Sequence, residues 1–454
     1  MTRRFPHSPG ASAACVAWAG AVIAAAALPG GVARAASSGP ELRGEATLRT
    51  AIEIEDGDVQ LGELLVEPEL SGEVTPEISW TVIGRLRIDA ADELEPGDPG
   101  PQDGVRSPVN RRLFIGDTTD LELREAYADI YAGQWFVRAG KQQVVWGQAD
   151  GLRVLDQVNP LSFREFIMGD FEDRRIPLWM VNAERSFGGV TAQFLWIPDH
   201  SYDEVPADGT YAVTSPLLRP QIRPQPGQAV RFAEADRPDR LIVDDDYGVR
   251  LTGFSDGWDW SVNALYAYGD GQVLRRTTTP QAVTVTPDYE RTLLTGGSVS
   301  NAFGKATVRA EVGYVTDRFV LTNDPQDTDG IFETGEASGV IGLDYQVDAD
   351  LLVSGQVFAG VLTDDAPGLV RDQVTGTASL LVRQEFLNDT VEVEGLLLQS
   401  LNQGDGLVQL GATYKLTDAV TLAAGADVFY GNRQGIFGQF GEADRVTLAV
   451  TYGF

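Results

Sequence analysis

Between residues 141 and 179 the chain gathers side chains that could bind, sort or brace against charge. Six acids (Asp150, Asp156, Glu165, Asp170, Glu172 and Asp173) are interspersed with Arg153, Arg164, Arg174 and Arg175. Opposed guanidinium and carboxylate rows set up a transverse field, which filters solutes by charge and dipole where the walls are close together. The same groups could instead form a salt-bridged brace. A water-exposed pair contributes only about 0.2–1 kcal/mol, so a brace needs a network. Trp146, Asp150, Arg153, Asp156, Asn159, Arg164, Asp170, Asp173, Arg174 and Arg175 are the candidates for a pore constriction or a brace.

In the same segment Leu152, Leu155, Val158, Leu161, Phe163 and Phe166 recur at roughly helical spacing, and Asn159-Pro160 is a turn or helix-start signal. Together they predict a short, partly helical loop that folds inward and buries its apolar side.

Other chemistry is sparse. The only cysteine is Cys15 and the only histidines are His7 and His200, which leaves little for thiol chemistry or histidine metal sites. His200-Ser201 are adjacent, a poor arrangement for a nucleophile and its base. Glu392 and Glu394 share one strand face, and no phosphate-cradling glycine loop stands between a strand and a helix. These observations point away from an enzyme and predict no cofactor. A weak calcium loop can be read at Asp327, Asp329, Gly330 and Glu336, although Pro325 occupies its first position. The formal charge of −31 argues against nucleic acid as a partner. It is compatible with divalent ions bridging acidic loops to lipopolysaccharide.

The elements that must position these residues alternate with period two. Trp258, Trp260, Val262, Ala264, Tyr266 and Tyr268 oppose Asp259, Ser261 and Asn263; Ala306 to Tyr314 and Val408 to Leu416 repeat the pattern. Runs of ten to fourteen residues are about twice the usual globular strand and suit tilted membrane-crossing strands. Aromatics sit at their ends, where interfacial girdles belong. Short turns near 133, 188, 256, 304, 348, 388 and 418 alternate with long polar stretches near 90–119, 147–174, 198–241, 270–289, 318–335, 362–372 and 431–442. This predicts an all-β fold, a transmembrane antiparallel β-barrel of about eighteen strands with an inward-folded loop. Residues 60–70, with Glu63, Glu67 and Pro68, make the weakest strand; if it and a neighbour fail, the count is sixteen. Charged strand residues such as Arg49, Arg309, Glu311, Arg383, Glu394 and Asp427 must then face the lumen.

The ends fit this reading. Arg3 and Arg4, the apolar run from Ala11 to Leu28, and Ala33-Arg34-Ala35 read as a cleaved secretory signal over 1–35, leaving the barrel at 36–454. Arg445 to Phe454 is an alternating strand that ends on an aromatic. It resembles the last strand of bacterial outer-membrane barrels, whose terminal Phe, here Phe454, engages the assembly machinery. A final strand running down to Phe454 puts the long loops outside.

The spacing Trp146-Gly147, Asp150, Asp156, Asn159-Pro160, followed by Asp170, Asp173, Arg175, Pro177, Leu178 and Trp179, resembles a proteobacterial family of predicted outer-membrane β-barrel proteins of unknown function. Residues 41–120 match its pattern poorly. The resemblance implies a porin-like architecture in the outer membrane of a Gram-negative bacterium. It also implies passage of small or hydrophobic solutes, with a periplasmic or efflux-type transporter as a partner. The rival expectation is a structural or surface barrel with a closed lumen.

Overall fold

A computed structural model describes residues 39–97, 105–149, 151–235, 237–238 and 240–454. The predicted signal segment and Asp150 lie outside the described residues.

Eighteen strands carry the wall: β1 (Glu41–Glu53), β2 (Val59–Thr75), β3 (Ile78–Asp89), β4 (Thr119–Ala132), β5 (Trp135–Gln142), β6 (Leu178–Phe187), β7 (Val190–Ile197), β8 (Asp246–Ser255), β9 (Trp258–Tyr268), β10 (Arg291–Phe303), β11 (Ala306–Leu321), β12 (Ile331–Gln346), β13 (Leu351–Leu362), β14 (Val374–Phe386), β15 (Val391–Ser400), β16 (Gly406–Thr417), β17 (Val420–Tyr430) and β18 (Arg445–Gly453). Each pairs antiparallel with the next, and β18 pairs antiparallel with β1, so the barrel closes. Phe454 finishes the seam by exchanging two backbone hydrogen bonds with Gly44, at 3.0 and 2.9 Å. Closure leaves no unpaired edge. Outside the wall, Ala229–Phe232, Val273–Thr278 and Ala282–Asp288 form a separate three-stranded sheet in the long loops.

The segment 60–70 is not weak. It lies within β2, which at 17 residues is the longest strand. Pro68 fits because the ladder to β3 passes from Val66–Leu86 straight to Glu69–Ile83, so its missing N–H is not called upon.

The faces separate as the period-two pattern requires. On β9 Val262 and Tyr266 are exposed while Ser261 and Asn263 are buried; on β11 Val312 is exposed and Glu311 buried. The inner face is therefore the polar one, and the outer face is that of a membrane-spanning barrel. Tyr131, Trp135, Phe187, Phe254, Trp258, Phe303, Tyr345, Tyr414 and Tyr452 all lie exposed beside the short turns. They form one aromatic belt, and Trp196, Tyr247, Tyr266 and Tyr314 lie exposed toward the other end.

Placing a charge on the outer face tests this assignment. Val312→Arg should destabilise the barrel in lipid vesicles by about 2–4 kcal/mol, and Val74→Arg beside a short turn by about 0–1 kcal/mol. Reversible urea unfolding monitored by tryptophan fluorescence measures both. Equal costs at the two positions would contradict the lipid-facing assignment.

A loop seated across the lumen: the candidate functional site

The loop joining β5 to β6, residues 143–177, is where most candidate residues fall. Its apolar side chains are buried in three separate clusters. Val144, Trp146 and Val158 pack with Leu178, Met180, Leu195, Ile197, Leu265, Leu294 and Val315 of β6, β7, β9, β10 and β11. Val154 and Leu155 pack with Val340 of β12 and Phe358 of β13. Phe166 and Met168 pack with Leu398, Leu407 and Phe429 of β15, β16 and β17 and with Phe437 and Phe440 beyond. Contacts on so many parts of a closed wall place the loop inside the barrel. Each fully buried large apolar side chain stabilises the seat by about 1.5–3 kcal/mol.

The wall is shaped to receive it. A Cβ at Gly248 would stand 2.8 Å from the Trp146 ring, and one at Gly296 would stand 2.5 Å from Leu155 Cδ2. Only glycine leaves room for either contact. Trp146 is fully buried and donates its indole N–H to Gln193 Oε1 at 2.8 Å.

Charges fasten the remaining sector, formed by β18 and β1 to β4. Arg164 reaches Glu63 at 2.9 Å, Asp89 at 2.6 Å and Glu95 at 3.0 Å. Glu165 accepts from Arg49 at 2.7 Å and Arg445 at 2.9 Å. Asp173 meets Arg85 at 3.0 Å. Burial pushes the Glu165 carboxyl upward, but Arg49 and Arg445 outweigh it and hold the group well below its usual range. Asp170 moves the other way, raised by burial and by Asp173.

Other candidates hold the loop to itself. Asp156 receives the Arg175 guanidinium at 2.6 and 3.0 Å and the Trp146 backbone N–H at 3.2 Å. Asn159 Oδ1 accepts from Val144 N–H at 2.8 Å, while its amide donates to Ile176 O at 2.9 Å. Arg153 donates to Asn159 O at 2.7 Å, and Arg174 to Ile167 O at 3.0 Å. Burial, then Arg153, lowers the Arg174 guanidinium to about 10.

One expectation is corrected. The apolar spacing over 152–166 does not make a helix: among the described residues of the loop the α-helical turn is Phe171–Arg174, and Leu161 instead bridges antiparallel to Arg175. The side chains seek three different footings, which one helix face could not reach. The acids of the weak calcium loop are each engaged within the protein. Asp329 is paired with Arg275 at 2.6 Å, Glu336 with Arg318 and Arg371 at 2.7 Å each, and Asp327 accepts N–H groups of its own turn. Among the described residues the acidic trio whose ligand atoms lie within 4.8 Å of one another is Glu53, Asp56 and Asp58. The wall adds charges of its own to the site. Arg85, Arg87, Arg106, Arg112 and Arg124 join the loop arginines around Glu63, Asp120, Glu122 and Glu204. These were missed although Arg85-x-Arg87-x-Asp89 and Asp120-x-Glu122-x-Arg124 both carry period two.

Two cavities flank the loop. One of about 350 Å³ lies against β18 and β1 to β4, lined by Arg49, Arg85, Arg124, Glu165, Arg174 and Thr451 among others. The other, about 710 Å³, lies toward the short turns of β7 to β11, lined by Gln148, Thr191, Arg250, Asp259, Ser300 and Arg309 among others.

Removing Asp156 strands the buried Arg175. Asp156→Ala should cost about 3–5 kcal/mol in urea unfolding and open the loop to protease. Asp173→Ala, whose side chain is 60% exposed, should cost under about 1 kcal/mol. For Glu165 the depressed carboxyl contributes stability above the ordinary carboxylate range, near pH 4, and loses it as pH falls through that range. Protection of residues 160–170 from hydrogen exchange, corrected for the slower intrinsic exchange in acid, should therefore fall progressively below about pH 4, and Glu165→Gln should remove that pH dependence.

No curated protein matches the chain. Among solved structures, OccK5 (OpdH) of Pseudomonas aeruginosa aligns at TM-score 0.48 and 10% identity, covering 91% of this chain and 98% of that one. Salmonella typhi OmpF in complex with daunomycin aligns at 0.41 and 11%, covering 91% and 97%. A mutant of Rh. blastica porin aligns at 0.40 and 11%, covering 92% and 100%. Residues 116–377, more than half of the chain, match the family described as a protein of unknown function, DUF1302, and the chain belongs to that family.

Proposed function

We propose that the protein is an outer-membrane channel of a Gram-negative bacterium, passing small or hydrophobic solutes through a lumen narrowed by loop 143–177. The observation that carries this reading is the seating of that loop: it rests on the wall all round the barrel and leaves a polar cavity on either side. An eighteen-strand barrel is too wide for its own side chains to fill. A loop across it sets the aperture, and the charges on the loop decide what passes. On this reading the acidic outer loops contact lipopolysaccharide, the strand ending at Phe454 engages the assembly machinery, and a periplasmic or efflux transporter supplies or receives the solute.

A closed structural barrel is the rival. The buried Arg–Glu network favours it, since Glu63 has no exposure and is held by three arginines at 2.6, 2.9 and 3.1 Å.

Single-channel recording in planar bilayers separates the two. The wild-type protein should give a stable open current. Gly248→Leu, which removes the room for Trp146, should raise that current several-fold by unseating the loop. Silence from wild type together with current from the variant would support the closed barrel and overturn the channel.

A further inference from the structure

Strand β4 carries one residue more than β3 across from it. Ile83 pairs with Glu125 and Gly84 with Leu123, so Arg124 is the extra residue of a β-bulge. A bulge re-aims a side chain, and such features gather beside functional sites. Arg124 is 4% exposed and lines the cavity of about 350 Å³ between the loop and the wall.

Its engagement is incomplete. Nη2 donates to the carbonyl oxygens of Glu172 at 2.5 Å and Asp173 at 3.2 Å, both in the turn Phe171–Arg174. Among the described residues no carboxylate lies within ion-pair distance of Arg124, and neither Nε nor Nη1 has an acceptor. Its neighbours differ in having carboxylate partners, although Arg87 and Arg106 each also leave a buried Nε without a hydrogen-bond acceptor. Arg85 is paired with Glu67 and Asp173, Arg87 with Glu63 and Asp120, and Arg106 with Glu122 and Glu204. Arg174, lining the same cavity from the loop side, also has no carboxylate partner among the described residues, and its Nε is buried without an acceptor. Altogether nine arginines and six acids line the space. A lining richer in arginine than in acid, in which Arg124 and Arg174 have no carboxylate partner among the described residues, is the reverse of what a chain of net charge −31 would place there by composition.

We propose that this cavity binds a small oxyanion, a carboxylate or a phosphate, with Arg124 donating a single charge-assisted N–H from Nη1 or Nε and Arg174 adding positive charge from the loop. A hydrogen bond from an ionised guanidinium to a carboxylate or phosphate oxygen is roughly twice as strong as one between neutral groups. The inference rests on the channel reading, because the anion reaches the cavity through the lumen.

The test uses the full-length protein in detergent and in planar bilayers. Isothermal titration with inorganic phosphate and, separately, with succinate distinguishes the two anion sources. At least one should bind saturably, and the reversal potential under a potassium chloride gradient should have the sign of anion preference. Arg124→Gln keeps a donor for the two carbonyls. It should weaken binding by about tenfold or more and shift the reversal potential toward cations, with Arg124→Lys restoring part of the anion preference. Arg174→Gln provides a second reading should the first variant fail to fold, with the same direction of change. Absence of binding by both probes at concentrations on the order of 10 mM, with current that shows no anion preference, overturns the site and leaves the channel standing. Binding without current supports the site and overturns the channel.

Discussion

Glu63 brings a negative charge to a point that water does not reach, and three guanidiniums meet it there. They come from β1 (Arg49), β3 (Arg87) and the lumen loop (Arg164). Removing a carboxylate from water is costly, and the cost is offset only when its hydrogen bonds are met in full. Here they are met by three separate parts of the chain. The charge thus fixes the loop relative to the wall at a sector where, among the described residues, apolar packing reaches it only through Ala51 and Leu61. Arg164 then carries the constraint to Asp89 and Glu95, and Glu165 carries it across the barrel seam to Arg445 on β18.

Around the rest of the circumference the constraint is steric. Trp146 over Gly248 and Leu155 against Gly296 are close approaches that a single methyl group would block. The two kinds of anchorage divide the work. Shape holds the loop on the side of β6 to β17, and charge holds it on the side of β18 and β1 to β4. The cavities follow from this division. The space beside the shape-held wall is the larger and is lined by serine, threonine and scattered charge, while the space beside the charge-held wall is narrow and crowded with arginine.

Much of this was legible in the residue order. Alternation along β9, β11, β16 and β18 gave the strand faces, because lipid and lumen impose opposite demands on neighbouring positions. Turn spacing gave eighteen strands. Failures came where a local rule met a distant partner. Glu63, Glu67 and Pro68 made β2 look doubtful, yet the two acids are there because Arg49, Arg85, Arg87 and Arg164 face them from elsewhere. Leu155, Val158, Leu161 and Phe166 mimicked a helical stripe, though they answer to separate patches of wall. The candidate site was found as a segment, since its composition is unusual. Its arginine partners on β3 and β4 stayed hidden because pairing across a lumen leaves no mark at fixed sequence distance.

The seat of the loop also bears on the order of assembly. Residues 143–177 leave the ribosome before Leu195, Gly248, Gly296, Phe358 and Phe429 exist, so most of the loop's apolar footings follow it along the chain. Such contacts join residues far apart in the chain, and contacts of long range form late. The cross-member is thus locked in only as the last staves join the first, and a barrel that fails to zip shut would leave a greasy, highly charged strap hanging free.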